Sequence, residues 1–286
     1  MTLVESAVAA TYFFSMPKGM DGEFRIDAHE GIAGVSADAG TVEKDTENHY
    51  TVLIPHDRPG MIRITQEGAR EIRIYAMDAQ EASMLWEMED GGLPRILFSE
   101  IPPVQTGEGI EFFSSGQSSF SFREYAGGPA APAKWTTAHV ACSIAQHRGK
   151  WFHSYDLELP AKEVRLETRK IHDHKLALGF APSVLEGVEE VLLSIEYTGN
   201  VGYAFAAGRL FHDHFYNGAP WEIGLFRFRD MLKGGEIILE TTPLRRGVTT
   251  VAADAAMAVE KQFHGEATAV FHSVTAVPVY RVALSK

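Results

Sequence analysis

Residues 188–224 read VEEVLLSIEYTGNVGYAFAAGRLFHDHFYNGAPWEIG, and this run decides the fold. In its first ten residues Val191, Leu193, Ile195 and Tyr197 share one face while Glu190, Ser194 and Glu196 share the other. That is the period of two of a half-buried strand. Residues 200–207 and 222–228 read as further strands. Between them, residues 208–224 pack two histidines flanking an aspartate, four aromatics, an Asn-Gly reversal signal, a proline, and a glutamate beside a tryptophan. The expected arrangement is strand, turn, strand.

Upstream, short apolar or alternating segments recur: TYFFSM, GEFRID, IAGVSA, HYTVLI, MIRIT and EIRIY, separated by Pro17, Gly19, Gly31, Gly40, Pro55, Pro59-Gly60 and Gly68. Many short strands with such breaks predict an all-β sandwich or barrel. One segment departs from the pattern. Asp78 followed by Glu81 is a capping-box signature, and Ala82, Leu85 and Trp86 follow helical spacing, so a short helix is expected over residues 78–88, ended by Gly91-Gly92 and Pro94. The stretch YAGGPAAPAKW, rich in Gly, Ala and Pro, reads as a linker or long crossing loop. The expected division is an N-terminal β-sandwich over residues 1–126, a linker over 127–136 and a second sandwich over 137–286. Residues 251–259, VAADAAMAV, fit a helical turn or a strand equally.

The composition, with 45% hydrophobic and 22% charged residues among 286, is that of a globular chain able to bury a core. A formal net charge of −12 and the lack of any lysine and arginine run argue against a nucleic-acid partner. The single cysteine, Cys142, excludes an intrachain disulfide and a four-cysteine zinc site, and reads as a small buried hydrophobe. The N-terminal stretch carries Glu5 and no basic leader, and no apolar run reaches the roughly 20 residues needed to cross a bilayer. A soluble, cytoplasmic protein without a membrane partner is expected.

If residues 210–216 form a regular strand, Leu210, His212, His214 and Tyr216 point one way and Phe211, Asp213 and Phe215 the other. Two histidines so spaced can both ligate a metal, and a site resembling that of a cupin comes into view, although Glu222 lies across a turn and a proline. A second HDH at His172–His174 raises a four-histidine centre as a possible metal site. The alternative is histidines with no ligand role, and no cofactor is required. Asp213, between two phenylalanines, is expected to be buried and hydrogen-bonded, tying down the Asn217-Gly218 turn or touching a ligand. Trp221 beside Glu222, with Tyr216, Asp213 and Asn217, forms the candidate sugar-binding set, Trp221 offering a flat face to a sugar ring. No acidic pair stands out as a glycosidase pair, and there is no nucleophile elbow, P-loop or dinucleotide fingerprint.

The residues Gly199-Asn200-Val201, Gly208-Arg209-Leu210, Asp213 to Gly218 and Trp221 to Leu225 occur in the order of a pattern in the C-terminal jelly-roll region of family 35 glycoside hydrolases, the β-galactosidases, and the chain resembles that region. Weaker similarity extends over TYFFSMPKGMDGEFRI and IRIYAMDAQEASMLW. The resemblance implies two jelly-roll, galactose-binding-like β-sandwich domains. The family's catalytic barrel has no counterpart in the sequence, since a barrel takes about 250 residues of alternating strands and helices, so its catalytic glutamates are not carried over.

The leading expectation is a non-catalytic, carbohydrate-associated accessory protein or subunit, binding galactoside-like carbohydrate beside a catalytic glycosidase subunit. A metal- or carboxylate-dependent carbohydrate-active enzyme with a site in the sandwich is the second reading. The third is a purely structural module, and a homo-oligomer is expected.

Overall fold

A computed structural model describes residues 1–28, 31–128, 133–137, 141–245 and 266–285. The described residues form an all-β sandwich fold with one short α-helix and three 3-10 turns. The chain divides into two compact units: Met1–Phe112 with Ser119–Leu159 and Val282–Lys286, and Phe113–Ser118 with Pro160–Arg281. Residues 251–259 lie outside the described residues.

The first unit is built on a five-stranded sheet ordered Thr2–Glu5, Ala9–Ser15, Glu71–Met77, Gly60–Gln66, Ile32–Ala37. Its central strands are apolar on both faces. Met61, Tyr75 and Met77 pack with Phe13, Ile96, Phe98 and Tyr125 in one core, while Ile62, Ile64 and Ala76 pack with Met16, Val52 and Ile54 in another. The first core lies against the sheet that holds Leu93–Ser99 and Ser119–Tyr125, the second against the three strands Gly22–Asp27, His49–Ile54 and Thr41–Lys44. A strand buried on both faces reads as a continuous apolar run, as IYAM at residues 74–77 does.

The helix is confined to Ala79–Ser83. Asp78 caps it as expected, its carboxylate accepting from the Glu81 N–H at 2.7 Å. Leu85–Asp90 is a strand, antiparallel to Leu93–Ser99 across the Gly91-Gly92 reversal. Leu85 and Trp86 therefore belong to a sheet and not to a helix. The expected linker is also corrected in part. Trp135 is buried and its indole N–H donates to Glu124 at 3.2 Å. Phe152–Glu158 pairs in full with Ser119–Tyr125, so residues up to Leu159 belong to the first unit. Cys142 precedes the strand Ser143–Arg148 and is half-buried, with burial pushing its thiol up.

The second unit packs two sheets face to face. One is ordered Glu167–His172, Lys175–Gly179, Glu236–Thr241, Val201–Ala206, Arg209–Phe215. Facing it, Glu190–Thr198 lies between Trp221–Gly224 and the strand that begins at Val270. Leu176, Leu178, Ile237, Leu239, Ala204 and Ala206 from the first sheet meet Val191, Leu193, Ile195, Tyr197, Trp221 and Ile223 from the second. Each large side chain so buried contributes about 1.5–3 kcal/mol. The alternation seen in residues 188–197 is therefore the core face and solvent face of one strand.

Candidate binding groove on the second unit

Val201–Ala206 and Arg209–Phe215 form a hairpin whose turn is Ala207-Gly208, both at positive φ, 48° and 74°. That is the backbone a two-residue hairpin of matching twist requires. The pairing then slips: Phe205 faces Leu210 and Ala204 faces His212, a β-bulge that leaves Phe211 unpaired. Such a bulge upsets strict alternation. The Phe211 ring lies 4.8 Å from that of Phe228 and the His212 ring 5.8 Å from that of Trp221, both tilted, so two consecutive side chains serve the core.

The histidine face is the inner face. The Trp221 Nε1–H donates to Nδ1 of His212 at 3.1 Å, and the His214 ring stacks on Trp221 at 5.9 Å and 9°. The Tyr197 hydroxyl donates to the His214 carbonyl at 3.0 Å and lies 2.9 Å from its Nδ1. Burial, then the neighbouring His212, push His214 below its ordinary value, opposed by Asp213. Burial raises Tyr197 well above the usual phenol range.

Trp221 is 1% exposed and Tyr216 is 3% exposed, so neither presents a ring to a sugar. Both belong to the core. Asp213 is exposed, as is Phe215, because past the bulge these two alternate with the inward His212 and His214 and so lie on the solvent face. Asp213 is thus not a buried, tied-down carboxylate. Asn217 does fasten the turn, its Oδ1 accepting from the Ala219 N–H at 3.0 Å. Glu222 is exposed on the edge strand Trp221–Gly224. The segment around Asn217-Gly218 joins strands of the two different sheets, so it is a crossing between layers and not a hairpin turn.

The two HDH motifs do not meet. His172 ends one edge strand of the five-stranded sheet and His214 sits on the other edge, four strand spacings or about 19 Å away. His172 and His174 are exposed and stack on each other at 5.5 Å. In the first unit Asp45, Glu47 and His49 bring one ligand atom each within 4.8 Å of one another. There the Asp45 carboxylate already accepts the backbone N–H groups of Glu47 and His49, the bonding of an Asx turn.

The concave site lies on the outer face of the same five-stranded sheet. Small residues face inward along Val201–Ala206, where Gly202, Ala204 and Ala206 lie beneath the other sheet, so Tyr203 and Phe205 are turned outward. Their rings lie 6.4 Å apart at 40°. On the adjacent strand Glu236, Ile238 and Glu240 face out, and beyond it Lys175 pairs with Glu240 at 2.9 Å. Phe205, Ile238, Lys175, Glu236 and Glu240, with the Ala207-Gly208 turn, line a groove of about 490 Å³. A larger hollow of about 640 Å³ beside Lys162, Arg165, Glu163 and Glu167 has three of these four charges engaged: Lys162 bonds the Ser183 and Glu186 carbonyls, and Arg165 bonds Glu163. Of these two hollows it is the groove that joins a half-exposed aromatic ring, Phe205, to polar groups that face solvent.

Sequence reasoning missed this site. The available signal was VGYAFA, where aromatic residues alternate with very small ones. Chemically the groove suits binding more than hydrolysis. Glu236 and Glu240 stand four residues apart on one strand, about 13 Å along it, whereas glycosidase carboxylates lie roughly 5 to 9.5 Å apart. Among the described residues no helix is long and apolar enough to cross a membrane. No family model matches the chain, and a search of curated proteins finds no match.

Proposed function

We propose that the chain is a non-catalytic carbohydrate-binding β-sandwich protein that works beside a glycosidase subunit or domain, with the outer groove of the second unit as its sugar-contact surface. The observation that carries this reading is the outward Phe205 ring together with the Lys175–Glu240 ion pair in one groove, with the Tyr203 ring 6.4 Å from Phe205 on the same strand face. Aromatic faces take the C–H side of a sugar ring, and a few convergent polar groups take its hydroxyls. The resemblance to the C-terminal region of β-galactosidases favours galactosides as the first probes. Calorimetric titration of the full chain with lactose and galacto-oligosaccharides tests it. Heat of binding that falls at least tenfold in affinity on Phe205→Ala is expected, and no heat with any of these sugars overturns the reading.

A self-association reading has its own support. Leu210 and Phe215 are 51% and 56% exposed on Arg209–Phe215, which among the described residues is an edge strand of its sheet. Light scattering of the wild type and of Leu210→Lys distinguishes a dimer closed at this edge from a monomer.

A further inference from the structure

Resting on the carbohydrate-binding reading, we propose that the groove selects neutral glycans, with the Lys175 ammonium and the Glu240 carboxylate gripping two neighbouring hydroxyls of one pyranose ring, and that it rejects chains built of uronic acids. The charge of the lining argues first. Its ionised groups among the described residues are Glu236, Glu240 and Lys175, and each is already paired, Lys175 with Glu240 at 2.9 Å and Glu236 with Arg169 of the same sheet at 3.7 Å. A sugar carboxylate entering here meets two carboxylates and, among the described lining residues, no cation outside an ion pair to receive it.

Hydroxyls meet the opposite situation. Each is both a donor and an acceptor, whereas a carboxylate only accepts and an ammonium only donates. Lys175 and Glu240 place one of each kind 2.9 Å apart. Their side chains are 34% and 38% exposed, so the ion pair leaves further ammonium protons and carboxylate lone pairs facing the groove. One ring hydroxyl donates to Glu240 while its neighbour accepts from Lys175, and the ion pair persists throughout. The partners are also held in place: Lys175 and Glu240 are directly opposite in the antiparallel ladder, and Tyr203 lies opposite Glu240 on the other side. The aromatic strip and the charged pair thus occupy adjoining strands, as required to touch the face and the edge of one ring.

Calorimetry on the full chain compares lactose with digalacturonate, and repeats lactose with Glu240→Gln, Lys175→Met and Phe205→Ala. The expected result is binding of lactose, no measurable binding of digalacturonate, and a loss of about tenfold or more in each clamp variant, the size of a hydrogen bond to a charged group. Removing one ring hydroxyl from lactose should cost the wild type this factor and cost Glu240→Gln less, since in that variant the hydroxyl has already lost its charged acceptor. Circular dichroism verifies that the half-exposed variants remain folded. Lactose binding that depends on Phe205 but is unchanged in Glu240→Gln overturns the hydroxyl clamp and leaves the carbohydrate reading standing. Digalacturonate binding as tightly as lactose also overturns the clamp. If neither sugar binds, the carbohydrate reading falls and takes this inference with it.

Discussion

Nε1 of Trp221 donates a hydrogen bond to Nδ1 of His212 at 3.1 Å, tying a strand of one sheet of the second unit to an edge strand of the other. The indole is buried with His212 in place, so removal of the histidine takes away the partner of this N–H. An orphaned buried donor costs about 1–3 kcal/mol. His212→Ala should therefore lower the unfolding free energy by that amount, and His212→Gln, which retains an acceptor, should recover part of it. Denaturant unfolding followed by circular dichroism measures both. An unchanged midpoint in His212→Ala contradicts this role.

His214 makes the same unit sensitive to acid. Burial and His212 push it below its ordinary value of 6.5, and Asp213 opposes this. The unfolded chain then takes up the proton first. The contribution of His214 is complete above pH 6.5 and is lost as pH falls below that value towards the folded one. Amide exchange in Trp221–Gly224, compared at pH 7.5 and pH 5.5 after correction for intrinsic rates, should show weaker protection at pH 5.5. The difference should shrink in His214→Gln.

The strands were legible because each carries its burial in its own alternation, as Val191, Leu193, Ile195 and Tyr197 do. So was the Asp78 cap, a contact between near neighbours. The extent of the helix was not, since Leu85 and Trp86 satisfy helical spacing while the pairing that claims them comes from Leu97 and Phe98. The site failed for a similar reason. A bulge at Phe211 shifts the strand's phase without any Gly or Pro to announce it. The burial of Trp221 is decided by a glycine on a different strand. The groove was hidden because the usual rule of large residues inward is reversed over VGYAFA, where the facing sheet supplies the bulk.

That glycine is Gly202. A Cβ there would sit 2.8 Å from Cζ3 of Trp221 and 3.2 Å from Cζ of Tyr197. Both rings are buried and held by hydrogen bonds, so neither can give way freely. Overpacking of this kind costs about 1–3 kcal/mol. Gly202→Ala should lower the stability of the second unit by that much and change Trp221 emission, read in a variant whose other tryptophans are replaced by phenylalanine. A neutral substitution contradicts the close packing of this ring.

In the first unit Glu71 holds two arginines that face each other across a strand pair. Arg63 and Arg73 are direct partners in the antiparallel ladder, where like charges repel. Glu71 answers both: Arg63 grips it through two hydrogen bonds of 2.8 and 2.9 Å, and Arg73 adds one of 3.0 Å. The Trp151 ring lies within 5.8 Å of one guanidinium and 5.1 Å of the other. The bonds from Arg63, above all, draw Glu71 from 4.5 down to about 2. The folded carboxylate is therefore protonated later than the unfolded one, and its contribution is full above pH 4.5 and lost as pH falls towards about 2. Glu71→Gln should cost about 2 kcal/mol at neutral pH, the size of charge-assisted bonds replaced by weaker ones. The variant should also lose less stability than the wild type between pH 4.5 and 2.5. Equal acid sensitivity in the two proteins contradicts the assignment, because a carboxamide has no proton to take up over that range.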